Sequence, residues 1–168
     1  MTKLFYTGLN FPILNTPTYL KLINTPTISI SFYNKFNLEK ILPYLDFNPI
    51  PIFTSKNSVR GFEKLLNKNN IKSFIPLYCY CIGESTGKIL STIFNWDINT
   101  PKQFNSLGII HTLKMETKPL LFVTAKHTIA EILNWASDYS NMFLHLPVYE
   151  TTPRINSKLQ NTFQNTDD

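Results

Sequence analysis

The amino-acid sequence predicts an α/β fold, a parallel sheet flanked by helices. Two observations carry this. Short apolar runs alternate with helical patterns along most of the chain. Several of those runs are apolar at every position, as strands buried on both faces must be. At 168 residues, 43% of them hydrophobic and including 13 Phe and 8 Tyr, the chain is long and apolar enough for a real core without disulfides.

The elements follow in order. Lys3–Thr7 reads as a strand, and residues 8–26, with three prolines and Gly8, as irregular. Thr27–Ser31 alternates like a half-exposed strand. Asn37 to Leu45 reads as a short helix with Asn37 as its N-cap. Ile50–Phe53 is an apolar strand, and Lys56–Leu66 a helix with a basic stripe (Lys56, Arg60, Lys64) opposite an apolar face. Leu77–Ile82 reads as a strand, Ser85–Phe94 as a helix, and Phe104–Leu113 as a further helix. Leu120–Val123 then forms a strand, Lys126–Tyr139 a helix, Met142–Val148 a strand and Arg154–Phe163 a polar helix.

Charge and composition narrow the function. Sixteen basic against eleven acidic residues give a net charge of +5, which favours acidic partners. The basic residues are dispersed, with no Lys/Arg block of the kind that makes a nucleic-acid arm. No segment reaches the roughly 18 consecutive apolar residues of a membrane span, and the N-terminus has no signal-peptide pattern. Cys79 and Cys81 are the only cysteines; on a strand they share one face and read as small buried residues, with no further Cys or His to complete a metal site. These features fit the cytosol.

Open α/β sheets bind ligands outside the carboxyl ends of their strands. Three strand ends here have the same chemistry: Thr54-Ser55-Lys56-Asn57 after the Ile50 strand, Gly83-Glu84-Ser85-Thr86-Gly87-Lys88 after the Leu77 strand, and Thr124-Ala125-Lys126-His127 after the Leu120 strand. Each puts hydroxyl or small residues at an expected helix N-terminus, where unpaired N–H groups and the helix dipole attract anions. Taken singly, Ser55 and Ser85 read better as plain N-caps; the three ends on one sheet edge favour a site. Only three residues separate Gly83 from Gly87, and Ile89 follows Lys88, so a phosphate-binding loop is excluded. His127 and Glu131 stand four apart in an expected helix, a spacing typical of a surface pair. No catalytic triad or carboxylate pair is evident. Any enzyme built on these residues works by holding a reactive substrate in shape.

In this order, the segments IFTSKNSVRGF, CIGESTGKIL, LLFVTAKHTIAEIL and LPVYETTP resemble the uroporphyrinogen-III synthase family over about residues 50 to 153. The resemblance implies two α/β lobes joined by a two-stranded connection, with residues 37–149 as the continuous lobe and residues 1–36 with 150–168 as part of a discontinuous one. It also implies closure of hydroxymethylbilane to uroporphyrinogen III, with the last pyrrole ring inverted and water lost, without cofactor or metal. Carried onto this chain, it assigns Tyr149 and Thr86 to catalysis. Thr54, Ser55, Lys56, Gly83, Ser85, Thr124, Ala125 and Lys126 are left to hold substrate carboxylates. Two departures stand out. Gly8 in LFYTGLN replaces the family's Arg, and the family continues past the polar segment where this chain stops at Asp168. The expectation is therefore one complete lobe and a fragment of the second, with an exposed sheet edge open to self-association. Two rivals remain: a polycarboxylate-binding module without turnover, and a flavodoxin-like nucleotide binder that lacks the glycine pattern.

Overall fold

In the computed structural model, which describes residues 2–9, 17–128, 130–139 and 142–155, the elements run in one order. They are β1 (Thr2–Tyr6), β2 (Leu20–Asn24), β3 (Ile28–Phe32), α1 (Leu38–Leu45), β4 (Ile50–Phe53), α2 (Lys56–Lys68) and β5 (Cys79–Cys81). Then come α3 (Glu84–Ile93), β6 (Ile98–Asn99), α4 (Ser106–Leu113), β7 (Leu120–Ala125), α5 (Ala130–Ser137) and β8 (Phe143–Pro153). The expected α/β class, with a mostly parallel sheet flanked by helices, is the one observed. The sheet has the order β3-β8-β7-β4-β5-β6, and β4, β5, β6, β7 and β8 pair in parallel.

The chain divides into two compact units, Met1–Ser31 with Thr151–Asp168 and Phe32–Glu150. It passes from one to the other inside β3 and again inside β8. These two strands run in opposite directions. In the first unit Arg154 N–H donates to the Thr27 carbonyl at 2.7 Å, and the Ser29 and Thr152 hydroxyls lie 2.8 Å apart. In the second, Tyr33 N–H donates to the Val148 carbonyl at 3.0 Å.

In the second unit the strands alternate their side chains between two cores. Ile50 and Ile52 of β4 and Leu120 and Phe122 of β7 pack with Ile109 and Leu113 of α4 and Ile132 of α5. Phe53 points the other way, its ring 5.7 Å from Phe62 of α2. Phe62 leads an aromatic cluster with Phe74, Phe94 and Trp96, the last two stacked at 4.2 Å. Tyr44 of α1 ties down the start of β7 and the approach to β8, donating to the carbonyls of Leu120 at 2.8 Å and Met142 at 3.0 Å.

Several boundaries differ from expectation. Residues 8–26 are not wholly irregular, because β2 pairs in parallel with β1. Pro17 and Pro26 flank β2 instead of interrupting it; the Pro17 carbonyl accepts from Leu20 N–H in the turn that starts the strand. β6 has no counterpart among the expected elements, since its two residues are too short for a periodic pattern. Helix α3 starts at Glu84 with Gly83 as its N-cap, so Ser85 lies inside the helix and caps nothing. Strand β7 continues two residues past Val123, which delays α5 to Ala130. Arg154 and Ile155 are not helical, and the rest of the expected polar helix lies outside the described residues.

Gly61 sets how closely α2 approaches the sheet. A Cβ there would lie 2.6 Å from Val148 Cγ2 and 2.8 Å from Val148 Cβ, where the branch point cannot swing aside. Alanine gains about 1 kcal/mol of helix propensity over glycine, but overpacking of this kind costs about 1–3 kcal/mol. Gly61→Ala is expected to lower the urea midpoint, the opposite of the usual helix glycine-to-alanine result.

Candidate functional site

The strand order reverses between β4 and β7. From β4 the chain moves outward through β5 and β6; from β7 it moves the other way to β8. Loops leaving adjacent strands at such a reversal diverge and open a crevice at the carboxyl edge. A cleft of about 380 Å³ lies there. Thr54 and Ser55 line it from the end of β4, Ile82 from the end of β5, and Phe104, Asn105 and Ser106 from the start of α4. Ala125, His127 and Thr128 follow β7, and Tyr149 enters from β8.

Ser55 and Tyr149, 94 positions apart in sequence, meet in this cleft with their hydroxyl oxygens 3.0 Å apart. Ser55 is the N-cap of α2. Its Oγ accepts from Ser58 N–H at 3.1 Å, while Ser58 Oγ accepts from Ser55 N–H at 3.1 Å, a reciprocal capping box. The cap thereby fixes the hydroxyl that faces Tyr149.

Tyr149 reaches Ser55 because β8 is irregular. Thr124 pairs with Pro147, but Ala125 pairs with Tyr149, so β8 carries one extra residue opposite this step of β7. Regular alternation would send Val148 and Tyr149 to opposite faces. With the bulge, both side chains meet α2: Val148 packs at Gly61 and Tyr149 bonds Ser55. The Tyr149 ring lies 6.4 Å from Phe32, and Lys64 sits over the far partner, its Nζ 4.0 Å from the Phe32 centroid. Lys64 itself is exposed, with its ammonium against that ring.

The third strand end differs from its sequence reading. Thr124 is fully buried and its hydroxyl donates to the Ala125 carbonyl at 2.9 Å. The Nε2 of His145 lies 2.7 Å from the same hydroxyl oxygen. Burial holds the His145 imidazole below its ordinary pKa, partly offset by its hydrogen bond to the Ala125 backbone. Lys126 is not at a helix N-terminus. Its ammonium pairs with Glu150 at 3.1 Å, and that hydrogen bond raises its pKa.

Of the ten residues singled out in sequence, Thr54, Ser55, Ala125 and Tyr149 come together in the cleft. Lys56 is exposed in the first turn of α2, Ser85 is exposed in α3, and Thr86 is buried in α3; none of these lines the cleft, nor does Gly83, Thr124 or Lys126. The sequence reading misses Phe104, Asn105, Ser106 and Thr128; it places His127 at the third strand end, without a binding role, and in a surface pair with Glu131. One signal was available: Asn105 caps α4 by accepting from Gly108 N–H at 2.8 Å, a spacing visible in the sequence. Among the described residues no three His, Cys, Asp or Glu side chains converge to hold a metal ion, and no helix is long and apolar enough to cross a membrane.

The His145 environment implies a pH dependence. Its folded pKa is depressed, so the unfolded chain takes up the proton first. The stability held by neutral His145 is complete above the ordinary value of 6.5 and is lost as pH falls through it toward the lower folded value. Urea midpoints measured downward from pH 7.5 should decline in the native chain and decline less in His145→Gln.

Known proteins resemble this chain in family and in fold. The family model described as Uroporphyrinogen-III synthase HemD matches residues 20–168. A substituted uroporphyrinogen III synthase from the extreme thermophile Thermus thermophilus aligns with a TM-score of 0.62 at 10% identity, covering 92% of this chain and 64% of that one. The uroporphyrinogen-III synthetase of Helicobacter pylori aligns with a TM-score of 0.61 at 20% identity, covering 96% of this chain and 68% of that one. The chain therefore spans slightly less than two thirds of the Thermus protein's length. No curated protein matches. The likeness in fold and the family match over most of the residues agree on one relationship: this chain belongs to the uroporphyrinogen-III synthase family.

Proposed function

We propose that this chain closes hydroxymethylbilane to uroporphyrinogen III in tetrapyrrole (haem) biosynthesis, inverting the last pyrrole ring and releasing water. The observation that carries the reading is the Tyr149 hydroxyl held by Ser55 inside the carboxyl-edge cleft. Tyr149 meets the departing hydroxyl of the substrate as hydrogen-bond donor and general acid. Ser55, Thr54 and the first-turn amides of α2 and α4 receive substrate carboxylates, since a helix has no internal partners for those amides. Ligand clefts run from about 300 to 1,000 Å³. At about 380 Å³ this one takes part of a linear tetrapyrrole, not the whole.

The lobes follow the same reading. Residues 37–149 act as the continuous lobe, and residues 1–36 with 150–168 as part of the discontinuous one; the two compact units support it. The reaction belongs in the cytosol, in keeping with two free, buried cysteines. Among the described residues β1 and β2 pair only with each other, and two-stranded sheets are marginal alone. Association of two copies through this sheet would give its strands further partners, and light scattering that reports a monomer at all concentrations would reject it.

The decisive assay supplies hydroxymethylbilane from its upstream enzyme and separates the isomers formed. The type III isomer is expected, and Tyr149→Phe should slow its formation by about 100-fold or more while leaving the melting temperature nearly unchanged. Spontaneous type I product alone would defeat the catalytic reading. Binding of the tetrapyrrole without conversion would instead identify a polycarboxylate-binding module.

A further inference from the structure

The carboxylate after Tyr149 is arranged in a way that the closure reaction itself does not require. Glu150 Oε1 lies 3.1 Å from Lys126 Nζ and 3.7 Å from His127 Nε2. The turn that carries Lys126 and His127 is fastened to the same strand, because Lys126 N–H donates to the Tyr149 carbonyl at 2.8 Å. His127 lines the cleft, so one oxygen of Glu150 lies between a lining imidazole and the Lys126 ammonium. The side chains of Lys126 and His127 are 50% and 78% exposed, and that of Glu150 is 26% exposed. Exposed pairs of this kind are weak and screened by salt. An incoming carboxylate can therefore displace Glu150 at little cost.

We propose that Glu150 is an internal surrogate for a substrate carboxylate, occupying a rim subsite of Lys126 and His127 until a polycarboxylate displaces it. The proposal rests on the reading of the cleft as a polycarboxylate site. Lys126 binds by exchanging one carboxylate for another, and His127 adds charge to the subsite when protonated. Glu150 thereby weakens ligand binding at the rim, favouring release of a product that carries the same carboxylates as the substrate. A purely structural ion pair behaves differently, since breaking it from either side loosens the same turn.

The sign of two substitutions separates these cases. Equilibrium binding of uroporphyrin III, a fluorescent octacarboxylate macrocycle, to the full chain is measured at low and high salt. Glu150→Gln should tighten binding by about twofold to fivefold, with Glu150→Ala giving the same sign. Lys126→Met should weaken it by a similar factor. The tightening should vanish at high salt and in the double variant. Unchanged or weaker binding by both Glu150 variants, beside measurable binding by the native chain, overturns the surrogate role and leaves the cleft reading standing. No binding by the native chain or any variant overturns both.

Discussion

The bulge in β8 governs the site. One extra residue opposite the Thr124–Ala125 step brings Val148 and Tyr149 to the same helix. Each needs something specific from α2. Val148 requires a position without a side chain, which Gly61 provides. Tyr149 requires a hydroxyl at the helix start, which the Ser55 cap provides. The spacing from Ser55 to Gly61 places both on the part of α2 that meets β8. Beside the same bulge Ala125 lines the cleft, while Thr124 stays buried with its hydroxyl against His145. A regular β8 would leave Ser55 as an ordinary cap and Tyr149 on the opposite core.

The reversal of strand order supplies the space into which Tyr149 projects. Central strands β4 and β7 are buried on both faces, their residues divided between the α4–α5 core and the aromatic core under α2. Packing that dense leaves the sheet little freedom to deform. The loops at the carboxyl edge thus stand on a rigid base, as positioning catalysis requires. The caps contribute at the same edge. Ser55 and Asn105 each bind one amide of the first turn and leave the others directed outward.

The central βα units were legible because local signals agree there. Ile50–Phe53 is uniformly apolar, Ser55 is a strong cap, and the apolar face of α2 has helical spacing; the strand bounds and the start of the helix match the structure. Asn37 was likewise legible as the cap of α1. Legibility failed where local signals were sparse or where a distant contact decided. β6 is too short to show a period, and β2 was hidden by prolines at its flanks. Gly83 outcompeted Ser85 as a cap because the chain is already extended there, with φ −155° and ψ 161°. Lys126 resembled Lys56 in sequence context, yet Glu150, 24 residues away, holds its ammonium. The bulge itself has no local signature, since its cause is the pairing of two separate strands. Tyr149 could therefore be linked to function by family resemblance, but its contact with Ser55 could not be read from pattern.

The hydroxyl pair has one further property. Ser55 Oγ already accepts from Ser58 N–H, which leaves it one hydrogen and one free lone pair. If Ser55 donates to Tyr149, the tyrosine keeps its hydrogen for the cleft. If Tyr149 donates to Ser55, the serine hydrogen is released and the tyrosine presents lone pairs instead. The two arrangements differ only by rotation of two hydroxyl hydrogens, with every heavy atom in place. The positive end of α2 favours the arrangement in which negative charge can gather on the oxygens near it. The proton transfer proposed for Tyr149 passes through such a state. The cap that begins α2 thus does more than start a helix: it lets Tyr149 act as donor or acceptor without moving.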